Sequence, residues 1–482
     1  MRSVLGILLL GFSMGLARAG ENWPQFRGPA GDGHSDATGL PLTWSETENV
    51  RWKTPIHGRG WSSPVIWGDQ VWVTTATEDG HRMYAVCVDR ESGRVVHDVK
   101  VFDTEKPEHV GAVNSYASPT PVIEQGRLYV HYGTYGTACL DTRSGQVLWS
   151  RRDLSCDHHE GPGASPMLFE DLLIFHVDGR DVQYVVALNK RTGKTAWKTP
   201  RSIDYSPFPP NLRKAFCTPI VVEAGGRLEQ ISPGAKAVMG YDPRTGRELW
   251  KVRYFGWSVT PRPLAGHGLV FVVIDYERPE LWAIRPGGDG DVTGTHVAWK
   301  VRQLVAAQPS LLLVGDLLYM VNDDGIASGI EAKTGQVAWK TRMGGNYSAS
   351  PIAADGRLYF FSRTAKTTVV APGRQYRVLA TSQLDGEQMA TPAVSGQSLF
   401  LRTRTHLYRL GSAARVGWDG VPPESALPRV GWDEVPPESA LPRQGIGGTS
   451  SHPTAYSPVG LSAGGPGTRM GQIDVSGTLQ AP

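Results

Sequence analysis

The chain has 482 residues, with 49 Lys and Arg against 46 Asp and Glu and a formal net charge of +3. So even a balance leaves no electrostatic footprint for a nucleic-acid partner. Past the first twenty residues no apolar run is long enough for a membrane helix.

Residues 1–19 read as an export signal. Met1-Arg2 is a short basic start, residues 4–16 are apolar, and Ala17-Arg18-Ala19 offers a small-x-small cleavage site. The apolar run is shorter than the roughly 20 residues that span a bilayer. The first cysteine is Cys87, so no lipid-anchoring Cys follows the signal. The mature protein is expected to be periplasmic or secreted, cleaved after Ala19. Residues 20–48 read as an amino-terminal extension.

Residues 49–411 repeat one phrase: an acidic or amide residue, a turn with Gly, then an aromatic strand. It runs from Asp141 through Gly145 to Trp149, then Asn189–Gly193–Trp197, Asp242–Gly246–Trp250 and Glu331–Gly335–Trp339. Asp89–Gly93–His97 keeps the spacing without the Trp, a stretched copy ends at Trp299, and a worn one spans 371–379. A second marker, a small residue and Pro before an apolar run, falls at Pro64, Pro119, Pro166, Pro219, Pro261, Pro309, Pro351 and Pro392. The steps between these average about 47 residues, the period of four-stranded propeller blades. Pro suits the first residue of a strand, where its missing N–H costs no ladder bond. In the second unit the strands are expected at 121–123, 127–132, 137–141 and 146–150.

The last unit stops after three strands, near Leu410. The missing strand lies at the other end of the chain, in Val50-Arg51-Trp52-Lys53-Thr54, whose Trp-Lys-Thr recurs at 197–199 and 339–341. The expected fold is all-β: a closed eight-bladed β-propeller of four-stranded blades, latched by its amino-terminal strand, with no exposed sheet edges left at a seam.

Turn geometry separates two faces. Hairpins joining strands one–two and three–four lie on one; two–three loops and blade crossings lie on the other, where the unusual polar residues collect. The crossing at 151–163 holds Cys156-Asp157-His158-His159-Glu160. Two–three loops hold His131 and Tyr135, then Asp178 and Asp181, then Asp275-Tyr276-Glu277-Arg278, then Asn322-Asp323-Asp324. The aromatics Trp61, Tyr116, Phe216, Trp257 and Tyr347 precede blade openings. Aromatic walls with a few carboxylates and imidazoles make a ligand face, with Trp61, Tyr116, His131, Tyr135, His159, Asp178, Asp181, Trp257, Asp275 and Tyr347 as its candidate residues. No spacing matches a zinc site or a calcium loop, and no catalytic residue is assigned: there is no nucleophile elbow, phosphate loop or dinucleotide fingerprint.

Cys87 and Cys139 lie two residues before the acidic turn residue, where other units have Ala187, Gly240, Ala283 and Gly329. They read as small core residues. Cys156 and Cys217 are left, either paired or free. Residues 412–482 read as a disordered tail. Within it, 415–428 and 429–442 are near-identical copies differing only at Gly420 and Glu434. The copies offer Trp418 and Trp432 as a repeated linear motif for a partner.

The repeated Asp-x-x-Thr-Gly-x-x-x-Trp phrase resembles the tryptophan-docking repeat of the pyrroloquinoline quinone (PQQ)-type propellers, which include quinoprotein alcohol dehydrogenases and BamB-like assembly factors. Asn22-Trp23-Pro24-Gln25-Phe26-Arg27-Gly28-Pro29 and His131-Tyr132-Gly133-Thr134-Tyr135-Gly136 look like the exported BamB-like group. The resemblance implies a non-catalytic binding or scaffold propeller with a protein or glycan partner of the envelope, acting as a monomer. Its alternative implication is a dehydrogenase using PQQ with calcium. The chain departs from the dehydrogenases in having no two adjacent cysteines and no recognisable calcium-ligand set.

Overall fold

The computed structural model describes residues 22–412; the export-signal and tail readings lie outside them. Eight blades of four antiparallel strands each form the ring, and two of the sheets carry a short fifth strand in parallel, His34–Ser35 and Gly290–Asp291. Blades 1 to 7 span residues 65–103, 122–151, 167–200, 220–253, 264–301, 312–342 and 352–383. Blade 8 combines Ala393–Ser395, Ser398–Arg402 and His406–Leu410 with the amino-terminal strand Val50–Pro55 as its outermost member. Closure by the first strand is as expected. In the second blade the strands are Val122–Glu124, Arg127–His131, Thr137–Asp141 and Val147–Arg151, within a residue or so of expectation. Among the described residues no helix is long and apolar enough to cross a membrane.

The middle strands are largely buried between neighbouring blades, and several read as unbroken apolar runs. Leu269–Ile274, for example, is Leu-Val-Phe-Val-Val-Ile and buried throughout. The outermost strands alternate toward solvent, as in Val147–Arg151.

The Trp phrase has a mechanical explanation. In all eight blades the outer strand carries a one-residue bulge immediately before the Trp position, including blade 1 with His97 and blade 7 with Ala380. The bulge re-aims that side chain; Trp250 bonds Glu229 of its own blade (2.7 Å), while the other tryptophans of the phrase point toward the next blade. There the indole Nε1 donates to the backbone of the Asp-turn: Trp52 to Arg90 O (2.9 Å), Trp149 to Lys190 O (3.0 Å), Trp197 to Pro243 O (3.1 Å) and Trp299 to Ala332 O (3.1 Å). The turn Gly lies flat under the ring; a Cβ on Gly93, at φ +73°, would sit 2.6 Å from Trp52.

The small-residue slot follows from the same register. Trp149 faces Cys139, Trp197 faces Ala187, Trp250 faces Gly240 and Trp339 faces Gly329. A Cβ on Gly240 would come within 2.4 Å of the Trp250 ring. Cys87 and Cys139 are indeed buried, free thiols in this slot. Cys156 and Cys217 are also free and buried rather than paired.

The proline marker needs one correction. The equivalent positions are Ser63, Thr120, Ser165, Thr218, Arg262, Ser310, Ser350 and Thr391, each two residues before an inner strand. The prolines in register are therefore Pro121 and Pro263, not Pro119 and Pro261, and blade 6 has Leu311 in place of Pro. Nor does Pro open the strand; it stands just outside it. The hydroxyls at these positions tie blade to blade: Ser63 N donates to Thr120 Oγ1, Thr120 N to Ser165 Oγ and Ser165 N to Thr218 Oγ1. Arg262 N donates to Ser310 Oγ, Ser310 N to Ser350 Oγ and Ser350 N to Thr391 Oγ1, all six bonds measuring 2.9–3.0 Å. Arg262 has no hydroxyl to offer blade 4, and the belt is interrupted there.

Candidate functional site: an axial funnel closed from below

The amino-terminal extension proves to be a plug in the central channel. Trp23 pairs with Ile66 on the inner strand of blade 1, and Pro24 O accepts from Ile123 of blade 2 (2.8 Å). His34–Ser35 runs parallel to the inner strand of blade 7, and His34 Nε2 reaches Leu313 O of blade 6 (2.7 Å). Arg262 of blade 5 donates to Phe26 O (2.6 Å), and Arg27, fully buried, donates to Asp32 O (2.6 Å) and Leu311 O (2.5 Å). Burial and the neighbouring Arg262 push the Arg27 guanidinium down to about 9. The plug enters and leaves on the face of the one–two hairpins, where Gly68 N meets Asn22 and Asp355 N meets Ala37 O. Gly33, at φ +90°, is required because a Cβ there would lie 2.7 Å from Arg27.

With the plug in place the channel opens on one face only. Above it lies a cavity of about 450 Å³ lined by blade-crossing and two–three loops, with Phe26 as the one plug residue on its wall. The belt hydroxyls Ser63, Thr120, Ser165, Thr218, Ser310, Ser350 and Thr391 also line it. Trp61, Phe216 and Trp257 add aromatic walls, and Lys214, Glu160 and Glu277 supply the charges.

Two of the ten sequence candidates, Trp61 and Trp257, line this funnel. The others have structural work. Tyr116 and Tyr135 pack edge to face and bind Glu108, Tyr116 through its carbonyl (2.9 Å) and Tyr135 through its amide N–H (2.8 Å). His131 is buried, bonded to Thr137 Oγ1 (2.8 Å), and burial pushes its imidazole down to about 3. Asp178 is fully buried in a two-pronged ion pair with Arg201 (2.8 and 2.6 Å). Asp181 caps Asp157 N (2.8 Å). Asp275 takes φ +71° and caps Tyr276 N (2.7 Å) and Glu277 N (3.2 Å), so it shapes the loop whose next two residues line the funnel. Tyr347 is buried among blade 6 and 7 residues. His159, at φ +63°, lies beside Glu160 (3.7 Å) and does not itself line the cavity.

Sequence reasoning missed Lys214 and Phe26. Lys214 sits in the blade 3–4 crossing, and the length of that crossing was its only signal. Glu160, Phe216, Tyr276 and Glu277 were legible only as parts of polar or aromatic loops. The backbone around Lys214 is tightly set: Ser258 N donates to Lys214 O (2.8 Å) and Phe216 N to Val259 O (2.8 Å), with Ser258 at φ +50°.

Among the described residues no three His, Cys, Asp or Glu side chains gather as a metal would need, and the four thiols are separate and buried. Burial raises the Cys87 and Cys156 thiols well above their ordinary range, and burial also pushes Cys139 up, to about 11.

A family model described as outer membrane protein assembly factor BamB matches residues 36–155 and 181–414. The outer membrane protein assembly factor BamB of Burkholderia pseudomallei (strain K96243) is 32% identical over 94 residues, 20% of this chain and 24% of that relative. The match thus spans about a quarter of the relative's length. Among solved structures, BamB from Moraxella catarrhalis aligns over 75% of this chain and 99% of its own, with a TM-score of 0.53 and 12% identity. The computationally designed Ika8 protein aligns over 74% and 98%, with a TM-score of 0.50 and 10% identity. At such identities these two likenesses are of fold alone.

Proposed function

The chain belongs to the family of the outer membrane protein assembly factor BamB, and from that membership we propose an exported, non-catalytic propeller that presents its funnel face to a protein partner of the cell envelope. The observation that carries this reading is the one-sided funnel. Its own plug closes the ring below, so the face of crossings and two–three loops is the side on which a partner meets a concave, aromatic and hydroxyl-rich surface. Aromatic anchors in a pocket with a polar rim are the usual energetic centre of a protein interface. On this reading the rigid ring holds the loops still, and the carboxylates singled out by sequence serve to shape those loops. The protein acts in the periplasm or outside the cell.

The test is capture of envelope proteins on the tagged full chain, alongside a Trp61→Ala/Trp257→Ala variant. A defined protein partner held by the parent and lost by the variant supports the reading. Dye-linked substrate oxidation after addition of PQQ and calcium, with no partner retained, would overturn it in favour of a quinone-dependent dehydrogenase.

A further inference from the structure

We propose that the funnel receives a polypeptide end-on and that Lys214 binds the carboxylate this polypeptide carries at its terminus. The proposal rests on the protein-partner reading above and names the chemistry of the partner at that site.

Lys214 is 3% exposed, yet it lines the cavity. Its ammonium lies 4.9 Å from the centre of the Trp257 ring. It makes neither a hydrogen bond nor an ion pair with any other described residue. Other buried cations here are better satisfied: Arg201 has Asp178, and Lys236 donates to Phe255 O (2.7 Å). A π face offsets part of the cost of burying an ammonium, and a cation with no carboxylate bonded to it leaves that cost otherwise unmet. Burial correspondingly lowers the Lys214 pKa. The backbone that carries this side chain is fixed, because the Lys214 carbonyl and the Phe216 amide are both tied to the 258–259 crossing. A cation held this way in a cavity wall is a receptor for an anion.

The walls narrow the anion further. Glu160 and Glu277 share the funnel with Lys214, so the wall repels a dianion such as a phosphate monoester more strongly than it repels a single carboxylate. The floor is closed at Phe26, so a chain cannot thread through, and one that enters end-on brings its terminal carboxylate into the funnel. Ser and Thr hydroxyls around the wall can donate to and accept from terminal amide groups. Trp61, Phe216 and Phe26 suit an apolar last side chain.

The experiment uses the full chain and two probes, N-acetyl-Gly-Gly-Leu as the free acid and as its amide, followed by calorimetry or by the fluorescence of the funnel tryptophans. The free acid is expected to bind about tenfold or more tighter than the amide, and Lys214→Met is expected to abolish the difference while melting no lower than the parent. Equal affinity for acid and amide, no binding of either, or a preference that survives Lys214→Met overturns the proposal. So does trigalacturonate binding in place of the peptide acid, which would assign the cation to an acidic glycan. If Lys214→Met still captures the envelope partner that the Trp61/Trp257 variant loses, the partner reading stands and the carboxylate assignment alone is wrong.

Discussion

Trp52 and Arg409 face each other across the two outermost strands of blade 8 and donate to the same acceptor, the Arg90 carbonyl of blade 1, at 2.9 and 3.0 Å. Thr54 adds a bond to Gly93 O (2.5 Å), and Arg409 reaches Glu91 (2.6 Å). The seam where the chain's two ends meet is thus fastened by the same indole-to-turn device as the continuous blades, reinforced by a guanidinium.

Trp52→Phe removes one hydrogen bond and should cost about 1 kcal/mol. Trp52→Ala also loses the ring's contact with Gly93 and Phe400 and should cost about 3 kcal/mol. Urea unfolding of the two variants measures this; equal midpoints for Trp52→Ala and the parent would mean that the seam does not hold the ring.

The plug should be a structural member in its own right. Trp23 is fully buried against the inner strand of blade 1, so Trp23→Ala should destabilise by about 4 kcal/mol. It should also expose residues 22–44 to proteolysis before the blades are cut. Cleavage appearing first within a blade would contradict this order.

Acid should weaken the fold from near neutrality. His131, His158 and His176 are buried and neutral; burial pushes the first to about 3, the second to about 4 and the third well below its ordinary value. Unfolded, each titrates near 6.5. Between roughly pH 6.5 and 4 the unfolded chain therefore binds more protons than the native one, and stability falls as pH falls. Each such group contributes a slope of up to about 1.4 kcal/mol per pH unit. Urea midpoints at about pH 7, 6 and 5 should show the fall, and His131→Asn should reduce the slope by up to about one proton.

Asp178 and Arg201 form a pair whose value lies in being complete. Asp178→Asn leaves a buried guanidinium unpaired and should cost about 3–5 kcal/mol. Asp178→Val with Arg201→Met should recover at least half of that loss, as read by thermal unfolding. A double variant no better than the single one would place the cost in Arg201's other bonds, to Ser232.

Much of this molecule is determined by short-range chemistry and is legible in the sequence. The Asp-turn, its Gly, the bulged Trp strand and the small residue opposite it lie within about 15 residues of one another, so they recur as a pattern and reveal blade number and closure. The funnel is different. Phe26, Lys214, Trp61 and Glu277 come from the amino terminus, two separate crossings and a two–three loop, and only the curvature of the closed ring brings them to one axis. Asp178 and Asp275 look like ligands in the chain because a carboxylate in a loop can face solvent, a partner or its own backbone. Tertiary structure alone decides among these, by burying the first on Arg201 and turning the second onto its own loop amides.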